Sequence, residues 1–193
     1  MDGTAEVIAK RMPVWRQLTD LLRHARTLGP YAGLKAEADA IESQRSLLAE
    51  PDPVRPLLDK TVELLRQALN AKLESYKQTF AQQHEQLAND ADWSKLTDAQ
   101  RAELVEKHNL QPTGQVTLAT PEQLQDALDD CDLDHWVSKT QALPSRFEAA
   151  RHAAVRLLKP NAVYVPIPRR TLNDEAELKV WLAEVEALIA AKI

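Results

Sequence analysis

A chain of 193 residues with 44% hydrophobic content is long enough to bury a core, as one domain or as a helical body with a smaller appendage. Cys131 is the one cysteine, which excludes an internal disulfide and a thiolate cluster for zinc or iron and sulfur within one chain, and points to a reducing compartment. The net charge of −5 argues against indiscriminate nucleic-acid binding.

Only four glycines occur, while the residues that lose least entropy in a helix are abundant, so a mainly α fold is expected. No apolar run approaches the ~20 residues that span a bilayer. The start, Met1-Asp2-Gly3-Thr4, lacks the basic-then-apolar plan of a secretory signal, so a cytoplasmic location with no membrane contact is the expectation.

Taken in order, residues 5–28 repeat apolar groups at Val14, Leu18, Leu21, Leu22, Ala25 and Leu28, a helical spacing stopped by Gly29-Pro30, with Pro13 a candidate helix start. A second helix carries Tyr31, Leu34, Ala38, Ile41 and Leu48 and ends where Pro51-Asp52-Pro53 forces extended geometry. From 57 to 89 no glycine or proline interrupts a pattern of Leu58, Val62, Leu65, Leu69, Leu73, Tyr76, Phe80 and Leu87. Such a helix is about 50 Å long, which implies an elongated bundle or a long helix hairpin; its imperfect heptads leave a packed bundle and a self-associating coiled coil both open.

Thr97-Asp98-Ala99-Gln100 and Thr120-Pro121-Glu122-Gln123 both match the capping box and predict two short helices. Between them, Gln115-Val116-Thr117-Leu118 reads as a short strand, and its one comparable partner is Ala162-Val163-Tyr164-Val165-Pro166-Ile167-Pro168, an edge strand at most because proline cannot donate to a ladder. A small two-stranded element near the C-terminal half is therefore expected. Helical spacing returns from Leu133 to Leu158, with Pro144 marking a kink or a restart. Thr171 or Asn173 is the expected cap of a last helix carrying Leu172, Leu178, Trp181, Leu182, Val185, Leu188 and Ile189, an apolar set that must dock on some surface. This organisation suggests a long-helix bundle or hairpin over 1–92 and a mixed helical subdomain over 93–193.

The chemistry of a catalytic site is missing from this pattern. Gly29-Pro30-Tyr31-Ala32-Gly33-Leu34-Lys35 has the wrong spacing for a phosphate-cradling loop, and no two of the five histidines stand at the i, i+4 spacing of a metal helix, so no cofactor and no metal are expected in this chain. Asp129, Asp130, Cys131, Asp132, Asp134 and His135 read as an acidic helix junction rather than a ligand set, and Trp15, Trp93, Trp136 and Trp181 as core or helix-docking residues. Charge is unevenly placed: from 139 to 170 seven basic residues face Glu148 alone, whereas from 81 to 134 twelve acids face Lys95, Arg101 and Lys107. Acidic and basic surfaces of one fold account for this, and a basic groove for phosphate is the sharper alternative.

Three stretches resemble a known family: Glu42-Ser43-Gln44-Arg45-Ser46-Leu47-Leu48-Ala49-Glu50-Pro51-Asp52-Pro53-Val54; Leu143-Pro144-Ser145-Arg146-Phe147-Glu148-Ala149-Ala150 running into Leu157-Leu158-Lys159-Pro160-Asn161-Ala162-Val163; and Arg169-Arg170-Thr171-Leu172 followed by Trp181-Leu182-Ala183-Glu184-Val185. In order and spacing they resemble the C-terminal region of the large P-loop protein of BREX bacteriophage-exclusion systems, the BrxC or PglY type, from about Trp15 to Ile189. The resemblance implies a piece of a larger ATPase-like antiviral defence protein whose ATP site lies outside these residues, so no catalytic residue is carried over. The expected function is a non-catalytic interaction and assembly module whose partners are other components of the defence system or a second copy. Its expected contacts are Leu58, Leu65, Tyr76 and Phe80 on the long helix and Val163, Val165 and Ile167 on the edge. The alternative is a DNA-contacting accessory region using Arg146, Arg151, Arg156, Arg169 and Arg170. Residues 146, 151 and 156 are spaced so that each step turns by about 140° around a helix, which keeps them off a single stripe.

Overall fold

A computed structural model of the chain describes residues 2–159 and 165–192. Seven α-helices follow one another among the described residues: α1 (Asp2–His24), α2 (Tyr31–Ser43), α3 (Val54–Ala88), α4 (Asp98–Lys107), α5 (Pro121–Asp130), α6 (Leu133–Leu158) and α7 (Glu175–Ala190). Single 3-10 turns at Ser46–Leu48 and Trp93–Lys95 precede α3 and α4. The chain divides into two units, one of Met1–Gln83 with Pro112–Leu143 and one of His84–Gln111 with Pro144–Ile193. α3 and α6 each contribute residues to both, and the boundary drawn from sequence after residue 92 lies inside the second.

In the first unit the apolar stripe of α1 is buried at Leu18, Leu21, Leu22 and Ala25, as its spacing requires. α1 packs on α2, on the Ser46–Leu48 turn and on α5. Gln17 Nε2 donates to Glu122 Oε1 at 2.9 Å and His24 Nε2 meets Asp129 Oδ1 at 3.0 Å. Both partners advance by seven residues, two helical turns, so α1 and α5 run in the same direction, with Leu124 and Leu128 of α5 buried beside the pairs. Gln17 chiefly, with backbone donors and Thr120 behind it, holds the Glu122 carboxyl below the usual glutamate range.

Arg11 fixes the connection into α3. Its side chain is 9% exposed. One guanidinium nitrogen donates to the carbonyls of Leu47 at 3.0 Å and Ala49 at 2.8 Å, another to Glu50, and Nε lies 3.6 Å from Asp52 Oδ2. The other oxygen of Asp52 accepts from the amides of Val54 and Arg55, capping α3. A buried cation shared between a turn and a helix cap cannot be removed without orphaning its acceptors. Arg11→Met is therefore expected to lower the unfolding free energy by about 2 kcal/mol and to speed amide exchange over 46–55, measured by urea denaturation and hydrogen exchange. Arg11→Lys restores only part of this, because an ammonium lacks the planar fork.

In the second unit Phe147, Ala150 and Ala154 form the buried stripe of α6, and Trp93, Leu96, Leu104 and Leu110 are buried with them. Asp92 accepts from Lys95 at 2.9 Å and lies 3.7 Å from Lys159; Lys95, then Lys159, draws its carboxyl below the ordinary value. α7 is attached by Trp181, whose Nε1 donates to the Pro168 carbonyl at 3.0 Å, and by Arg170, 3.7 Å from Glu184.

Both predicted capping boxes are present, with Thr97 and Thr120 accepting from the amides of Gln100 and Gln123 and both glutamine side chains returning the bond. Other expectations are corrected. Pro13 lies inside α1, which begins at Asp2, and Pro144 lies inside α6, which does not restart there. The cap of α7 is Asp174, which accepts from Glu177 N at 2.8 Å; Asn173 bonds Glu177 Oε2 instead. The long apolar run forms one 35-residue helix rather than a hairpin. The two-stranded element is not seen among the described residues: 115–118 belongs to the first unit and 165–168 to the second, and neither forms a strand. Val163 lies outside the described residues. The physical reason is that β-forming side chains set extended geometry but a strand needs a laddered neighbour, which Pro166 and Pro168 are ill suited to supply.

Candidate functional site

The stripe expected to meet a partner on α3 is spent inside the first unit. Leu58 and Leu65 have no exposed surface and Tyr76 is 7% exposed. Tyr76 stacks on half-buried Phe80 with ring centroids 6.3 Å apart and meets Trp136 of α6 edge-on at 5.5 Å, while Lys139 Nζ sits 4.8 Å from the Trp136 ring. This aromatic cluster ties α3 to α6, with Phe80 left half-buried.

Surface apolar residues concentrate instead on α7. Leu178, Val180, Leu182, Leu188 and Ile189 are each more than a third exposed, and Val185 alone on that helix is buried. Leu178, Leu182, Val185 and Ile189 follow a 4-3-4 spacing, which places them within an arc of about 60° around the helix. Ile167, in the irregular run before α7, is 50% exposed, and Val165 is half-buried. Periodicity had marked the apolar set of α7; its exposure follows only from the tertiary arrangement.

The five arginines all fall in the second unit. Arg151 pairs with Glu148 at 2.6 Å, and Arg170 faces Glu184. Arg146 is half-buried on α6; Arg156 and Arg169 are exposed, with no carboxylate paired to either among the described residues. The acidic junction 129–135 has structural duties: Asp129 meets His24, Asp132 Oδ1 accepts from His135 N at 2.7 Å at the start of α6, and Cys131 is buried. No group of three potential metal ligands gathers among the described residues. No helix among them is long and apolar enough to cross a membrane.

His108, at the C-terminal end of α4, has an enclosed Nε2 without a hydrogen-bond partner, although its ring is partly exposed. Burial first, then Lys107 and Arg156, push its pKa below the ordinary histidine value. Because the folded-state pKa lies below the unfolded one, the unfolded chain binds more protons in between. The contribution of His108 to stability is then complete above the unfolded value, about 6.5, and is lost as pH falls through the folded value. Thermal midpoints of the native protein should drop relative to His108→Gln as pH is lowered from about 7.5 to 5.5; parallel curves would contradict this. Asp92, a carboxylate with a lowered pKa, acts only at more acidic pH.

A further feature escaped the sequence reading. Residues 111–118 run without turn or bend, and only their end is held: Arg66 Nε of α3 donates to the Leu118 carbonyl at 3.0 Å, and Gln123 Oε1 accepts from the amide of Ala119 just beyond it. Clefts open on both sides of this run. Compared with protein-family models, with curated proteins and with solved structures, the chain matches none.

Proposed function

We propose that this chain is a non-catalytic assembly module that docks on other proteins through the apolar face of α7. The observation that carries the reading is the exposure of Leu178, Leu182 and Ile189 on one face of α7, beside buried Val185 and beside Trp181, whose indole donates to the Pro168 carbonyl. Leaving such a stripe in water forfeits roughly 25 cal/mol for each Å² that a partner would cover. The resemblance of the stretches around 42–54, 143–163 and 169–185 to the BREX P-loop protein supports a parent context, a large ATPase-like antiviral protein in which this chain is a C-terminal part and the nucleotide site lies elsewhere. The partners are then sibling components of that exclusion system, or a second copy, in the bacterial cytoplasm. Co-purification of the chain with each sibling component, with and without polar substitution of α7, tests the reading. A complex that persists after the substitution removes α7 from it, and retention on DNA at low salt alone favours contact through Arg156 and Arg169 instead.

A further inference from the structure

We infer that residues 113–118 are an open strand that takes up an extended segment of a partner protein by backbone pairing, with a lysine or arginine of that segment seated between Asp126 and Asp130. This surface lies wholly in the first unit and does not depend on α7. From Thr113 to Thr117 no hydrogen bond reaches the backbone among the described residues, so a straight run of donors and acceptors stands unsatisfied by the fold. Such a run, rich in β-forming residues at Val116, Thr117 and Leu118, is a template for strand addition.

The run borders two clefts. Thr113, Gln115, Val116 and Thr117 line a cleft of about 430 Å³ against α5 and α6, together with Asp126 and Asp130. Gly114, Gln115 and Val116 line a second cleft of about 360 Å³ against α3, beside Leu73, Glu74 and Lys77. Because consecutive residues of the run border the larger cleft, a strand paired along its open backbone there brings its own alternate side chains beside Asp126 and Asp130. Asp126 and Asp130 are one turn apart on α5, both exposed, and neither pairs with a cation among the described residues, whereas neighbouring Asp129 meets His24. Lys139, at the rim, is occupied over Trp136. The cleft therefore presents two free carboxylates to an incoming basic side chain.

The test uses the full chain, isotopically labelled, and capped nine-residue peptides of alternating valine and threonine with one central lysine. A glutamate version and a version N-methylated on alternate amides serve as comparisons. The lysine peptide should slow amide exchange at alternate positions between 113 and 118 by about tenfold at about 1 mM. The N-methylated peptide should give no protection, and the glutamate peptide should bind about tenfold more weakly. Asp126→Asn with Asp130→Asn, both exposed, should erase the preference for lysine while leaving exchange in the free protein unchanged. Absence of protection over 113–118 with any peptide, or protection equal for the methylated and unmethylated forms, overturns the inference. The same loss in the α7 variant would leave the inference standing on its own surface only if protection over 113–118 were retained there, and that retention is the expected result.

Discussion

Leu65→Ala is expected to lower the unfolding free energy by about 3 kcal/mol, the cost of deleting a fully buried leucine together with the cavity left behind. At a urea dependence of about 2 kcal/mol per molar, the midpoint falls by about 1.5 M. Leu182→Gln, on the exposed face of α7, is expected to shift it by less than about 0.5 kcal/mol. The contrast separates two readings of similar sequence patterns. If Leu65→Ala left stability unchanged and instead abolished partner capture, the α3 stripe would be a surface and the core assignment would fail.

Leu178→Gln, Leu182→Gln and Ile189→Gln, introduced together, are expected to weaken capture of a partner by about a thousandfold, at about 1.5 kcal/mol for each apolar anchor lost. Glutamine keeps helix propensity close to that of leucine, so α7 itself persists. Circular dichroism should show unchanged helix content, and surface plasmon resonance should show the loss mainly as faster dissociation. Full affinity retained in the triple variant would direct attention to another surface.

Sequence periodicity located the helices because burial on one side imposes a 3.6-residue repeat, and the caps at Thr97 and Thr120 were legible because the whole capping box is local. What a stripe is buried against is not local. Leu58 and Leu65 of α3 and Leu178 and Leu182 of α7 show similar spacing, yet the first pair lies inside a unit and the second is left in solvent. The strand reading of 115–118 captured the extended geometry but not the absence of a ladder, since pairing depends on a segment elsewhere in the chain. The Arg11 clasp spans 36 to 41 residues and has one faint sign in the sequence: Arg11 stands one heptad before Leu18, on the face of α1 that buries Leu22. A charged residue on an otherwise apolar helix face signals a specific acceptor, though not which one. Proline favours the first helical turn, which makes Pro13 a natural helix start, whereas α1 runs through it from Asp2.

The most direct test of the central claim is the solution mass by light scattering of the full chain and its α7 triple variant, each alone and mixed in turn with every sibling component of an exclusion system, at about 50 and 500 mM salt. The account predicts a defined assembly of the native chain, with a second copy or one component, that resists salt and disappears in the variant. A native chain that stays a monomer in every mixture, or an assembly that survives loss of Leu178, Leu182 and Ile189, would contradict it.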